Sequence, residues 1–307
     1  METIQGISKF KSSKPTIITI GTFDGVHIGH SKILERLINS AKKSNLQSAV
    51  LTFFPHPRMV LQKDSDIKLL NSLDEKQQVL DSMGLDYLIV HPFTKAFSRL
   101  SALEFVRDVL VNQLNVKKVI IGYDHRFGRN RNANINDLIS YGNTFDFDVE
   151  EIPVQEIDEV SVSSTKIRKA LLDGNIEAAN AYLGYEFMLT GTIKKGKGLG
   201  REIGFPTANL SIKETYKLIP KNGVYIVKSS FDHKTIYGMM NIGFNPTVSG
   251  TEKSIEIHFF DLNENLYHKE VQVNLLKKIR DEHKFESLEH LREQLEKDKA
   301  TSLQLIS

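Results

Sequence analysis

The sequence predicts an α/β chain in two parts: a parallel sheet covered by helices on both faces, then a run of antiparallel strands. Three observations predict it. Short apolar runs alternate with amphipathic helical patterns through the first half. After Gly184 the segments turn strand-like, with turn residues between them and few helices. The length of 307 residues also exceeds what one core holds comfortably, so two domains are expected, 1–184 and 185–307.

The strands of the first part are read at Thr16–Ile20, Ala49–Phe53, Tyr87–Val90 and Val119–Ile121. These are unbroken apolar runs, as in strands buried on both faces. A helix over Lys32–Lys43 carries Ile33, Leu34, Leu37, Ile38 and Ala41 on one stripe. Another over Ala102–Leu114 carries Leu103, Val106, Val109, Leu110 and Leu114. Gly174 and Gly184 punctuate two short helices. The later strands are "FMLTGTIKKG", "GVYIVKSS", "TIYGMMNIG", "SIEIHFFD" and "LYHKEVQVNLL", which suit a small barrel or sandwich. A last helix over about 287–299 places Leu288, Leu291 and Leu295 on one face.

Composition excludes several classes of function. A net charge of +2 gives no electrostatic footprint for nucleic acid. The absence of cysteine removes disulfides, thiolate metal sites and a Cys nucleophile. "METIQGISKFKSSK" has no apolar run of a secretory signal, and no stretch approaches a membrane span. A cytoplasmic protein is expected; its oligomeric state is left open.

The stretch "TIITIGTFDGVHIGHSKILERL" turns from strand to helix through three glycines and two histidines. In open α/β sheets, ligands bind at the carboxyl ends of strands. Gly21 and Gly25 permit close backbone approach. The helix start offers free N–H groups and a positive dipole end to phosphates. His27 and His30, three apart, share a helical face. Zinc is a poor fit, because neither His-Glu-x-x-His nor a third ligand is present. The turn is neither a Walker A loop nor G-x-G-x-x-G. Imidazoles donating to phosphoryl oxygens fit, and a tight turn with two solvated histidines fits equally.

A second helix start, "SVSSTKIRKALLDGN", has Ser163, Ser164 and Thr165 as capping residues and Lys166 and Arg168 in its first turn. Cations beside a positive dipole end suggest an anion there. An ordinary N-cap with two surface cations is the plainer reading.

Together, "GTFDGVHIGH" and "SSTKIR" resemble the paired motifs of the nucleotidyltransferase superfamily, in the form found in bacterial bifunctional riboflavin kinase/FMN adenylyltransferases, or FAD synthetases. The resemblance implies a Rossmann-like first domain that joins FMN to the adenylyl group of ATP and releases pyrophosphate. His27 and His30 would contact the ATP phosphates. Gly21, Phe23, Asp24 and Gly29 would shape the nucleotide pocket. Ser163, Ser164, Thr165 and Arg168 would hold phosphates from the far side. "IGYDHRFGRNRN" is similar to a further family segment and makes Asp124 a flavin-side residue, with His125 where Phe is usual. "LTFFPHPRMVL" has Phe54 where an acidic residue is common. Its His56 is assigned no catalytic role, Pro55 and Pro57 being turn residues.

In the second part, "GTIKKGKGLGREIGFPTANL" sets Gly191, Gly196, Gly198, Gly200 and Gly204 among Lys194, Lys195, Lys197 and Arg201. Such a loop can wrap phosphates, although a solvated hairpin tip explains it too. In an extended "PTAN", Thr207 and Asn209 point to one side and offer the neutral oxygens that Mg²⁺ accepts. In "SIEIHFFD", Ile255, Ile257 and Phe259 alternate with Glu256, His258 and Phe260. Glu256 therefore faces away from an Ile-filled core, either as a proton acceptor or as an exposed strand residue.

This set, with "NIGFNPT", is similar to the riboflavin kinase pattern. It implies a six-stranded antiparallel β-barrel with a terminal helix. Gly191, Lys197, Gly198, Gly204, Pro206, Thr207 and Asn209 would bind ATP, with Thr207 and Asn209 at Mg²⁺. Glu256 would be the base for the riboflavin 5′-hydroxyl. "KKIRDEHKF" makes Arg280 a flavin contact. His268 stands where Gly is frequent. The expected substrates are riboflavin, FMN and ATP. Two rivals stay open: an enzyme with one working domain, and a flavin sensor without turnover.

Overall fold

The computed structural model describes residues 1–62, 66–123, 125–153, 162–196, 198–247 and 250–306. It divides into two compact units, Met1–Ser163 and Ser164–Ser307.

The first unit is built on six parallel strands: β1 (Glu2–Gln5), β2 (Thr16–Ile20), β3 (Gln47–Phe54), β4 (Tyr87–Pro92), β5 (Val116–Gly122) and β6 (Asp148–Ile152). Their spatial order is β1-β4-β3-β2-β5-β6. All five residues of β2 are buried, as expected of a run of β-branched residues in the middle of a sheet. From β2 the chain steps to β3 on one side, and β5 pairs on the other. This is a topological switch point, where a crevice opens at the carboxyl ends of the strands. The segment after β2 is "GTFDGVHIGH" and the segment after β5 is "YDHRFGRN".

The predicted strands are all present. β1 and β6 were not foreseen. Both lie at sheet edges, where "ETIQ" and "DVEEI" need no continuous apolar run.

Helix α1 (Ile28–Ser44) buries Leu34, Leu37, Ile38 and Ala41 and ends at Asn45 in a left-handed cap. Short α2 (Pro57–Leu61) follows a cis Phe54–Pro55 peptide. His56 caps it, with Nδ1 accepting from the Arg58 N–H, so this segment is the turn its prolines suggested. Helix α3 (Leu73–Ser82) opens with a capping box of Ser72 and Glu75.

Helix α4 begins as Ala102–Glu104 and continues in π turns through Phe105–Gln113. The wider turn rotates the apolar stripe. Leu103 is exposed, while Phe105, Val106, Val109, Leu110 and Leu114 are buried. Helix α5 (Ile135–Phe145) precedes β6.

The second unit starts with the helix pair α6 (Ser164–Asp173) and α7 (Ile176–Leu183), whose ends at Gly174 and Gly184 have φ of 82° and 81°. Six antiparallel strands follow: β7 (Met188–Lys194), β8 (Ala208–Ser211), β9 (Gly223–Phe231), β10 (Lys234–Thr247), β11 (Gly250–Phe259) and β12 (Glu270–Arg280). They close in the order β10-β11-β8-β7-β12-β9. Short α8 (Leu199–Glu202) sits between β7 and β8, and α9 (Leu288–Ile306) ends the unit.

The helix pair is tied to the barrel by Asn180. Its amide donates to the Leu275 carbonyl at 2.8 Å, and its oxygen accepts the Phe187 N–H at 2.8 Å. The buried side of α9 carries Asp298 and Ser302, whereas Leu288 is half exposed. Leu295 and Ile306, partly buried, pack against the cluster of Phe205, Val224, Met239 and Phe260, so polar and apolar contacts together hold the helix.

Candidate active sites

The first site lies at the switch point. Gly21 continues β2, its N–H bonded to the Leu51 carbonyl at 3.1 Å. A Cβ there would lie 3.0 Å from the Phe23 ring, so a larger residue would push that ring aside. Phe23 and Val26 hold positive φ values of 44° and 36°, uncommon for such side chains and a form of strain found at ligand-binding turns. Asp24, buried, accepts the Leu70 N–H at 2.9 Å, which fixes the turn from outside.

His27 is the N-cap of α1. Its Nδ1 accepts the His30 N–H at 3.3 Å. An acceptor Nδ1 leaves the proton of the neutral ring on Nε2. Gly29 is buried in the first turn. The His27 and His30 rings stack with centroids 3.7 Å apart and planes 15° apart, and Phe23 lies 5.0 Å from His30. Nδ1 of His30 is buried with no hydrogen-bond partner among the described residues.

Burial lowers the His27 pKa to about 4. It holds that of His30 well below 6.5, with the charge of His27 and then of Lys76 adding to the effect. Both rings are therefore neutral at pH 7 and offer N–H donors rather than charge.

Lys76 of α3 was not singled out in the sequence. It is 5% exposed, and its Nζ donates to the Thr22 carbonyl at 2.7 Å. Burial lowers its pKa to about 8, against the opposing pull of Asp24.

Asp124 lies outside the described residues. The neighbouring His125 ring stacks near Phe127, 6.2 Å between centroids, so the imidazole does pack in an aromatic setting. Ser163 ends the first unit. Ser164, Thr165 and Arg168 form the first turn of α6, with Ile167 buried beneath and Thr165 exposed.

The second site lies on the barrel. The backbone register pairs Glu256 of β11 with Asn209 of β8, so their side chains emerge on one face. Thr207 Oγ1 donates to Glu256 Oε2 at 3.4 Å. Ile255, Ile257 and Phe259 fill the core side, and Glu256 faces the other way, as the alternation predicts.

His258 was missed. It lies on the same face as Glu256, buried between the rings of Phe205 and Phe260. Its Nδ1 is 2.9 Å from the Pro206 carbonyl. A carbonyl only accepts, so the proton is on Nδ1 and the ring braces the turn that presents Thr207. Burial keeps its pKa low.

The glycines here have specific reasons. A Cβ at Gly191 would lie 2.6 Å from the Ser211 carbonyl oxygen, and one at Gly196 would lie 2.2 Å from Asn209 Nδ2. Gly198 and Gly204 hold φ of 79° and 85°. Lys197 lies outside the described residues.

Arg280 is engaged by α9. Nε and Nη2 bind the Asp298 carboxylate at 2.8–3.1 Å, Nη1 donates to the Asp281 carbonyl at 3.1 Å, and Phe285 lies 5.7 Å away.

Comparison with known proteins assigns a family to each part of the chain. Residues 9–166 match the family described as FAD synthetase, and residues 183–306 the family described as riboflavin kinase. The chain is 39% identical to the bifunctional riboflavin kinase/FMN adenylyltransferase of Buchnera aphidicola subsp. Schizaphis graminum, covering 97% of this chain and 96% of that one. It is 37% identical to the protein of that description from Escherichia coli K12, over 98% and 97% of the two chains.

A solved structure from Streptococcus pneumoniae, described as a macrolide-efflux protein, superposes with a TM-score of 0.88 at 31% identity over 98% of each chain. That description belongs to that protein. Among the described residues of this chain, no helix is long and apolar enough to cross a membrane. With an imidazole pair at the switch point of one unit, a Thr-Asn-Glu set on the barrel of the other, and matches along nearly its whole length, the chain belongs to the bifunctional riboflavin kinase/FMN adenylyltransferase family.

Proposed function

We propose that this chain makes FMN from riboflavin and then FAD from FMN, each step using ATP, in the cytoplasm. The observation that carries the reading is the juxtaposition of Thr207, Asn209 and Glu256 on one barrel face, in a chain whose other unit holds the stacked imidazoles. The functional segments are 1–184 for adenylyl transfer and 185–307 for phosphorylation.

In the kinase step, Glu256 accepts the proton of the riboflavin 5′-hydroxyl as its oxygen attacks the γ-phosphorus and ADP leaves. Magnesium, when bound with ATP, would neutralise phosphate charge, and Thr207 and Asn209 would hold it. The residues fit it: Thr207 and Asn209 supply neutral oxygens beside a carboxylate, and the Gly196 backbone closes on Asn209 where a Cβ would collide. Gly191, Lys197, Gly198, Gly204 and Pro206 form the rest of the nucleotide site, with His258 bracing Pro206. Arg280 meets the flavin through the guanidinium face turned away from Phe285, since Asp298 and Asp281 take its edges.

In the adenylyl step, an FMN phosphate oxygen attacks the α-phosphorus of ATP and pyrophosphate leaves. No protein nucleophile takes part, so positioning and charge stabilisation carry the rate. His27 donates from Nε2 to phosphate oxygens, and His30, stacked on it, donates its ring N–H to them as well. Gly21, Phe23, Asp24 and Gly29 shape the pocket. Ser163, Ser164, Thr165 and Arg168 hold phosphates, and Asp124 is assigned to flavin binding on the resemblance alone.

The test is two separate assays on the full chain: FMN from riboflavin and MgATP, and FAD from FMN and MgATP. Both products are expected. One product alone favours a single-activity enzyme, and binding with neither product favours a sensor.

A further inference from the structure

We propose that Lys76 supplies the fixed positive charge of the adenylyl-transfer site and donates an ammonium proton to a phosphate oxygen of ATP. This rests on the adenylyltransferase reading above.

The geometry starts from Thr22, between Gly21 and Phe23 in the motif turn. Its carbonyl accepts from Lys76 Nζ at 2.7 Å and from Thr52 Oγ1 at 3.2 Å. Lys76 reaches it from α3 with almost no exposure to solvent. An ammonium has three protons, and one hydrogen bond uses one of them. Among the described residues, no carboxylate lies within ion-pair distance of Lys76. Asp24 acts on it from farther off, while its own Oδ1 receives the Leu70 N–H.

Among the described residues, the charged and titratable groups around Lys76 are Asp24 from the turn, His30 from α1 and Glu75 beside it on α3. Glu75 is turned to the Ser72 backbone. A buried cation without a close counter-ion is costly, and such a cost persists where a ligand repays it.

The imidazoles cannot supply this charge, because both are neutral at pH 7. They provide directed N–H groups, and the α1 terminus provides a partial charge. The charge of Lys76 reaches His30, whose pKa it helps to lower. The cation is thus near enough to act on the same ring pair. With a free-enzyme pKa of about 8, it is mostly protonated at neutral pH.

The stability consequence has the opposite sign to the functional one. The folded pKa lies below the unfolded value of 10.5. Between about 8 and 10.5 the unfolded chain holds more protons, so stability rises with pH there. Below about 8 the buried charge destabilises the fold, and removing it should stabilise the first unit.

The experiment compares Lys76→Gln, Lys76→Met and Lys76→Arg with the wild-type chain. It reads FAD formation, FMN formation and the thermal midpoint. Gln can still donate to Thr22 without charge. We expect Gln and Met to lower kcat/KM for ATP in FAD formation by about 100-fold, the scale of losing one transition-state donor. FMN formation should stay within about twofold, the thermal midpoint at pH 7 should hold or rise, and Arg should recover about tenfold over Gln. Wild-type rate at Gln would overturn the proposal, since a hydrogen bond alone would then suffice.

A second readout needs no variant. Wild-type kcat/KM for ATP in FAD formation should fall above about pH 8, and a flat profile from pH 7 to 10 would also overturn it. Absence of FAD from the wild-type chain would instead overturn the functional reading itself.

Discussion

Thr207 donates its hydroxyl proton to Glu256 Oε2 across 3.4 Å, so a neutral oxygen on the nucleotide side and a candidate base meet on one barrel face. Glu256→Gln keeps the shape and removes the proton acceptor. FMN formation should fall by about 10²–10⁴-fold, the usual range for a general base. FAD formation from added FMN should be unchanged; its parallel loss would contradict separate sites.

Gly196→Ala should act on the same site from the loop. The new Cβ would lie 2.2 Å from Asn209 Nδ2, so the amide must swing away. The KM for MgATP in FMN formation should rise several-fold with FAD formation intact. Unchanged kinetics would remove Asn209 from the nucleotide site.

His30→Ala removes one ring of the stacked pair. FAD formation should drop by about 10²–10³-fold, as for loss of one oxyanion donor, and FMN formation should persist. Steady-state rates for each product decide it.

His27 also sets an acid limit. Its pKa is about 4 in the fold and 6.5 when unfolded, so the unfolded chain binds more protons between these values. The contribution of His27 to the stability of the first unit should be constant above about pH 6.5 and fall away toward pH 4. In His27→Asn, which keeps an N-cap oxygen, the decline should be shallower. Urea midpoints followed by circular dichroism from pH 4 to 7 measure the difference.

The Arg280–Asp298 pair holds α9 to β12, and Gln294 adds a bond to Asp298 at 2.9 Å. Asp298→Ala leaves a partly buried guanidinium uncompensated and should cost about 3 kcal/mol of barrel stability. Chemical denaturation of the second unit reads the change.

Much of this was visible in the residues, for physical reasons. Thr16–Ile20 shows its place because a central strand must be apolar on both faces, and the observed β2 has those bounds. The edge strands Glu2–Gln5 and Asp148–Ile152 did not show, since one free edge relaxes that demand. Strand β8 was hidden inside the "PTAN" motif, although its extended form was anticipated. The π turns of α4 leave no periodic trace that a 3.6-residue pattern would detect, so Leu103 was assigned to the wrong side.

At the sites, residue type pointed to Glu256, Thr207 and Asn209, but only the strand register sets Glu256 beside Asn209. Lys76 and His258 escaped notice because a charged or polar side chain in an amphipathic segment reads as solvated. Their burial comes from elements distant in sequence, Thr22 for one and Phe205 for the other.

Asn180 has a bearing on how such a chain can be taken apart. It belongs to a helix that precedes the kinase motifs, yet it knits two backbone positions flanking the barrel wall. A fragment beginning at residue 185 would leave that seam open, whereas one beginning at Ser164 would carry it along. Exchange of halves between relatives should therefore succeed at a junction upstream of the helix pair and fail at the edge of the motifs.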